Sequence, residues 1–221
     1  MDKKKKIKVF IVDDHSLTRG GFASLIKEDD SLELIAEASR GDEGLEKILK
    51  NRPDIAVIDI KLPDISGLEL SKSVMEKCPG TNIIILTGYP DEEYFAEAMN
   101  IGVSGYFLKD ETDELAGAIK KIHSGETFLS PKVHGYVVNL YRKRGEQSKD
   151  ELNTGKLTSR EMDILKLISE NKTNLEIGEE LFIEKRTVET HRNNIREKLG
   201  LIGGGRHALL LFALQNKTRF P

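Results

Sequence analysis

Along the first half of the chain, short apolar runs alternate with segments whose apolar residues recur at helical intervals. Ile7–Val12 is β-branched and apolar and stops at Asp13-Asp14. Leu34–Ala38, Ile55–Ile60, Ile83–Thr87 and Gly105–Lys109 are runs of the same kind. Between them Leu17–Lys27, Asp42–Lys50, Leu68–Lys77, Glu92–Asn100 and Glu114–His123 carry helical spacing. Five β–α pairs in succession predict a parallel sheet covered by helices on both faces. Ligands of such sheets bind outside the carboxyl ends of the strands, where the strand order reverses.

After Gly125 the rhythm stops. Ser130-Pro131 and Gly135 mark breaks, and Pro131 suits the start of a short helix through Val133, Val137, Leu140 and Tyr141. Arg142-Lys143-Arg144 and a polar run to Thr154 read as a linker, with the domain boundary near Gly145–Thr154. Beyond it the pattern is helical throughout. Thr158 or Ser159 caps a helix carrying Met162, Ile164, Leu165, Leu167 and Ile168. Thr173–Leu181 is a second, short helix; Thr187–Leu199, led in by Ile183–Arg186, is a third; Arg206–Gln215 is the last. Two short helices joined by a tight turn, the second one basic, fit a helix-turn-helix. The divisions are therefore 1–125, a linker at 126–153, and 154–221.

Composition divides the chain in the same place. Residues 1–125 hold 17 Lys and Arg against 24 Asp and Glu, a net −7; residues 126–221 hold 17 against 13, a net +4. An acidic front and a basic back point to modules with different partners, the back one suited to nucleic acid. The single cysteine, Cys78, excludes an internal disulfide framework and a Cys-rich zinc site. The lysine-rich start is followed by an apolar stretch too short for a signal peptide, and no run reaches membrane-span length. The expectation is a cytoplasmic protein with no membrane partner.

Polar residues at the strand ends carry the candidate chemistry. Asp13 and Asp14 end the first strand, Asp59 lies within the third, Thr87 ends the fourth and Lys109 the fifth. Three converging carboxylates need a cation, and oxygen ligands favour a hard one such as Mg²⁺. A carboxylate beside a metal can also attack phosphorus to give an aspartyl phosphate, with Lys109 and Thr87 holding the phosphoryl oxygens. Taken singly, the residues have plainer roles. Asp13, Asp14 or Ser16 would cap a helix, Thr87 is a natural strand residue, and Lys109 a solvated strand end. Asp59 is the exception, because an acid in an apolar strand is costly without a purpose.

With Asp13-Asp14, Asp59, Thr87 and Lys109 in order, residues 7–125 resemble the receiver domain of two-component response regulators. Pro63–Leu68 and Tyr106 match the family's turn after the phosphoacceptor and its aromatic switch. The resemblance implies a doubly wound, five-stranded, flavodoxin-like sheet. It implies that Asp59 accepts a phosphoryl group from a histidine kinase. Asp13, Asp14, Asp59 and the backbone carbonyl of Lys61 would hold Mg²⁺, and Lys109 would pair with the phosphoryl group. Thr87 would move toward that group and the ring of Tyr106 would follow. Gly88 stands where the family often has Ala, and Lys61 and Tyr89 lie near the path of attacking water.

The back half resembles the LuxR-type DNA-binding domain in Leu157–Glu161, Asn174–Ile177, Thr187-Val188, His191 and Asn194–Gly200. Together the halves resemble the NarL/FixJ group of response regulators. The third helix would then enter the major groove. Val188, Ile195 and Leu199 form a buried stripe, whereas Glu189, Arg192, Asn193 and Arg196 fall on other faces. Lys185, Arg186, Thr187, Glu189, His191 and Arg192 are the DNA-contact candidates. Glu189 replaces the family's usual Lys and is suited to accept from cytosine N4. Gly203–Gly205 replaces the expected polar cap of the last helix.

The implied function is phosphorylation-dependent regulation of transcription at a double-stranded DNA operator. The switch would relieve an inhibitory contact between the domains or favour a homodimer. Slow self-dephosphorylation fits this reading; a dedicated enzyme does not. A Mg²⁺-dependent phosphohydrolase is the alternative from another class, but Lys61 stands where it would need an acid. A DNA binder with a relic receiver is the third, and the intact set of five residues argues against it.

Overall fold

The computed structural model describes residues 5–88, 91–111, 114–133, 135–136, 156–201 and 207–217. The chain forms two compact units, Met1–Val133 and His134–Pro221. Tyr89, Val137, Leu140, Tyr141, the Arg142–Arg144 triplet, the boundary at 145–154 and Gly203–Gly205 lie outside the described residues.

The first unit follows the apolar rhythm. Its strands are β1 (Ile7–Val12), β2 (Leu32–Ala38), β3 (Ile55–Asp59), β4 (Asn82–Thr87), β5 (Gly105–Leu108) and β6 (Phe128–Leu129). Its helices are α1 (Ser16–Glu28), α2 (Gly41–Asn51), α3 (Gly67–Lys77), α4 (Glu92–Ile101) and α5 (Leu115–His123). The strands are parallel in the order β2-β1-β3-β4-β5-β6. Strands β3 and β4 are nearly all buried, as both faces of a doubly wound sheet must be. Val9, Ile11, Val57, Ile84, Leu86 and Phe107 pack with Phe22 and Ile26 of α1 and with Ile119 and Ile122 of α5. Alternate residues face the other layer, where Val12 lies near Gly44 of α2 and Tyr106 meets Phe95 of α4.

The expected five strands are present, and β6 extends the sheet by a sixth. It pairs Phe128 with Gly105 and Leu129 with Tyr106. A two-residue strand has no periodicity to read, so the expectation stopped one strand short. Phe128 stacks on Phe107 with ring centroids 4.8 Å apart. A single 3₁₀ turn, Pro131–Val133, follows. Residues 128–133, read as linker from the sequence, thus belong to the first unit.

The second unit has α6 (Ser159–Ser169), α7 (Asn174–Leu181), α8 (Lys185–Lys198) and α9 (Ala208–Gln215) among its described residues. Thr158 caps α6 and Thr173 caps α7, each through a reciprocal bond with the glutamate three residues on. Ile164, Leu165, Ile168, Ile177, Val188, Ile195 and Leu209 are buried together as the apolar set. Of the predicted stripe, Val188 and Ile195 are buried, while Leu199 is only half-buried at the helix end. The α7–α8 turn is tight: a Cβ on Gly178 would lie 2.7 Å from the Ile183 carbonyl oxygen. Among the described residues no helix is long and apolar enough to cross a membrane.

Candidate functional site

The carboxyl ends of β1, β3, β4 and β5 bring the predicted residues to one edge. Asp13 follows β1 and is fully buried, and Asp59 at the end of β3 is almost so. Lys109, just past β5, reaches between them: its Nζ lies 2.7 Å from Asp59 Oδ2 and 2.8 Å from Asp13 Oδ2. The Lys109 backbone N–H donates to the Thr87 carbonyl at 2.8 Å, which fixes the strand ends relative to each other. Lys61 N–H donates to Asp59 Oδ1 at 3.4 Å. A cleft of about 140 Å³ opens here, lined by His15, Thr18, Asp59, Lys61, Thr87, Gly88 and Lys109.

Burial pushes the Asp59 carboxyl above its ordinary range; the Lys109 ammonium opposes this but does not offset it, and Asp13 adds to the rise. Burial alone would lower Lys109, yet the two carboxylates win and raise it. The buried set carries two acids, Asp13 and Asp59, for the one Lys109 ammonium that bridges them. Ligand atoms of Asp13, Asp14, His15 and Asp59 all lie within 4.8 Å of one another. Carboxylate oxygens predominate in this donor set, which fits a hard divalent cation such as Mg²⁺.

His15 was absent from the predicted site. Its Nδ1 lies 2.6 Å from Asp14 Oδ1, and its backbone N–H donates to Asp13 Oδ1 at 2.8 Å. The only signal was its place directly after the two aspartates. Asp64 was noted as part of a turn, and the structure gives it a task. It accepts from the N–H groups of Gly41 and Asp42 at 2.8 Å each, tying the β3–α3 loop to the start of α2. Desolvation raises its carboxyl, but the N–H groups of Asp42, Gly41 and Ile65 prevail and hold it well below the carboxylate range.

Tyr106 is wholly buried, and its ring meets Phe95 edge-to-face with centroids 5.2 Å apart and planes at 82°. It pairs with Ile85, two residues before Thr87, so the two predicted switch residues sit on adjacent strands.

In the second unit, α8 turns Arg186, Thr187, Glu189, Thr190, Asn193, Asn194 and Glu197 to solvent. Lys185 is half-buried, with its Nζ 3.9 Å from Glu189 Oε1 one turn on. His191 and Arg192 are also half-buried, and Arg192 Nη1 donates to Asn174 Oδ1 of α7 at 2.8 Å. Of the six DNA-contact candidates, Arg186, Thr187 and Glu189 therefore face outward, and Arg192 braces the helix pair. Thr190 faces outward too and was not singled out; its neutral side chain gave no charge signal. Lys198 clamps the far end of α8 to α6, with its Nζ 2.8 and 2.7 Å from the two Glu161 oxygens.

Comparison with known proteins agrees with both units. The family described as response regulator receiver domain matches residues 9–120, and bacterial regulatory proteins, luxR family, matches residues 155–204. The chain is 35% identical over 215 residues to the oxygen regulatory protein NreC of Staphylococcus carnosus (strain TM300), covering 96% of this chain and 98% of the relative. The crystal structure of response regulator ChrA, from a heme-sensing two-component system, aligns with a TM-score of 0.52 and 29% identity, over 98% of this chain and 99% of that one. A LuxR-family two-component response regulator from Aurantimonas sp. SI85-9A1 aligns with a TM-score of 0.59 and 28% identity, over 62% of this chain and 99% of that one.

Proposed function

The chain belongs to the two-component response regulators that join a receiver domain to a LuxR-type DNA-binding domain, and from that premise we propose that phosphoryl transfer to Asp59 controls its binding to double-stranded DNA. The observation that carries this reading is the Lys109 ammonium held between Asp59 and Asp13 at a cleft that the buried Thr87 also lines. An Asp59 oxygen attacks phosphorus of a histidine kinase phosphohistidine. The P–O bond forms, the P–N bond breaks, and the departing imidazole takes up a proton. Asp13, Asp14, Asp59 and the Lys61 carbonyl hold Mg²⁺, which when bound neutralises the crowded carboxylates and draws charge from the phosphoryl oxygens. The site is a phosphoacceptor with slow self-dephosphorylation rather than a turnover enzyme.

The acylphosphate adds roughly −1.5 to −2 charge and new acceptor oxygens. Lys109 is freed from balancing Asp59 and pairs with the phosphoryl group. The Thr87 hydroxyl donates to the same group when its loop moves inward. That movement favours the inward Tyr106 ring, which α4 already receives through Phe95. The phosphate thereby shifts a population toward a surface that forms a homodimer.

On the DNA side, α8 lies in the major groove. Lys185 and Arg186 meet phosphates; Thr187, Glu189, Thr190 and Asn193 face base edges. His191 and Arg192 keep the helix seated. The cytoplasm, where kinase and DNA meet, is the expected location.

Genome-wide selection of DNA fragments, with and without acetyl phosphate and Mg²⁺, tests this on the native protein and Asp59→Ala. The expected result is enrichment that rises with the phosphodonor and is lost in Asp59→Ala. Equal enrichment under all conditions would remove the phosphorylation claim, and no enrichment would remove the DNA claim.

A further inference from the structure

We propose that His15 is a metal ligand of the phosphoacceptor cleft and broadens its metal preference from Mg²⁺ toward borderline first-row ions such as Co²⁺ and Ni²⁺. The inference rests on the reading that this cleft holds a divalent cation, and it assigns that cation a nitrogen donor.

The geometry supports it in three ways. The imidazole Nδ1 stands 2.6 Å from Asp14 Oδ1 and 3.8 Å from Asp13 Oδ1, and His15 and Asp59 belong to the same group of donor atoms. An octahedral ion with ligands at about 2.1 Å keeps adjacent donors about 3 Å apart and opposite ones about 4.2 Å apart. The four residues' donor atoms lie within 4.8 Å of one another, so the outermost pair must close by up to about 0.6 Å to share one coordination sphere.

The backbone also presents the ring. The His15 N–H donates to Asp13 Oδ1 at 2.8 Å, and His15 N-caps α1 without using its side chain as the cap. The imidazole is therefore not committed to the helix. It is 67% exposed and lines the cleft, where its Nδ1 pairs with Asp14 Oδ1, a contact that a shared cation would replace.

Chemistry then sets the preference. Mg²⁺ takes hard oxygen ligands and retains its waters, so it gains little from an imidazole. For Mn²⁺ through Ni²⁺ the gain from a nitrogen donor grows along the series. His15 thus distinguishes the ions that can assist phosphoryl transfer here, while Asp13, Asp14 and Asp59 supply the common charge.

The test uses Mn²⁺, Mg²⁺ and Ni²⁺ on the full-length protein. Electron paramagnetic resonance counts bound Mn²⁺, and pulsed measurements on the bound ion detect a directly coordinated ¹⁴N nucleus. Mg²⁺ and Ni²⁺ are then titrated against bound Mn²⁺. The expected result is ¹⁴N coupling in the native protein that disappears in His15→Gln. The Ni²⁺ to Mg²⁺ affinity ratio should fall about tenfold in that variant, with Mg²⁺ affinity little changed. Bound Mn²⁺ without ¹⁴N coupling would overturn the role of His15 and leave the cation site standing. Coupling that persists in His15→Gln would overturn it as well. Absence of Mn²⁺ binding in the native protein would overturn the cation site and the proposal together.

Discussion

The carbonyl oxygen of Asp59 occupies the space in which a side chain on Gly67 would begin: a Cβ there would lie 1.9 Å from it. The same Cβ would lie 2.8 Å from the Asp59 carbonyl carbon and 3.0 Å from Ile60 Cα, and Gly67 N–H donates to the Ile60 carbonyl at 2.8 Å. All these neighbours are backbone, so no rotamer change relieves the clash. The start of α3 and Asp59 are thus locked together by the absence of one methyl group.

Gly67→Ala is accordingly expected to destabilise the first unit by about 3 kcal/mol, the upper end of overpacking costs. It should also slow acetyl phosphate labelling of Asp59 under conditions where the variant remains folded, because relief requires the Asp59 backbone to move. Denaturant unfolding and Mg²⁺-dependent labelling measure the two effects. Unchanged values in both would show that α3 shifts without disturbing Asp59.

Asp59 itself costs stability when charged. Its carboxyl is raised in the fold, chiefly by burial, so its favourable contribution is that of the neutral acid. That contribution is complete below the ordinary carboxylate range and is lost as pH rises through the raised value. Asp59→Asn removes the surplus acid and leaves Lys109 paired with Asp13 at 2.8 Å. In the absence of divalent cations, the variant should be more stable than the native protein at neutral pH by about 1 kcal/mol. The difference should shrink as pH falls below the raised value. Thermal unfolding across pH 3 to 8 follows it, and a variant less stable at neutral pH would contradict the balance of charges described here.

Much of this was legible in the sequence because burial on both faces imposes a simple pattern. Ile55–Ile58 and Ile83–Leu86 are continuous apolar runs, so Asp59 and Thr87 stood out as polar ends. What was missed had no such pattern. Phe128–Leu129 is too short to show a period, and its place depends on the groove beside Gly105, where a Cβ would meet Ile122 at 2.7 Å. His15 follows two acids, and only the backbone turn that folds Asp13 onto its N–H brings its ring to the cleft. On α8, charge was an incomplete guide to exposure. The resemblance offers Arg192 as a DNA contact, and in the structure its guanidinium donates to Asn174, while uncharged Thr190 faces outward.

Arg192 and Asn193 are neighbours in sequence with opposite expected effects. Arg192→Met breaks the 2.8 Å bond to Asn174 between the two helices of the motif, and should lower stability by about 2 kcal/mol, as for a hydrogen bond to a charged group. DNA affinity should fall for all sequences alike at temperatures where the variant is partly unfolded. Asn193→Ala removes an exposed side chain and should leave the unfolding midpoint unchanged while altering the preferred DNA sequence. Unfolding curves and fragment selection on both variants separate the two roles. A stable Arg192→Met with altered sequence preference would move Arg192 back to the groove.

Glu189 gives the most direct electrostatic test. Its carboxylate faces outward one turn after Lys185, 3.9 Å from that ammonium, and so offsets a positive charge at the start of the helix. The pair is exposed enough to add little stability, so its consequence is for binding rather than folding. Glu189→Lys removes the offset and adds a cation on the outward face of α8. Affinity for arbitrary duplex DNA should rise, and the slope of log affinity against log salt should steepen by about one to two released counterions. Preference for a cytosine at the contacted position should weaken, because a lysine cannot accept from its N4 amino group. Binding titrations from 50 to 200 mM salt (the range over which such slopes change affinity by roughly 10³–10⁵ for extensive phosphate contacts) resolve this, with fragment selection alongside. An unchanged slope and an unchanged preferred sequence would place this face of α8 away from the DNA.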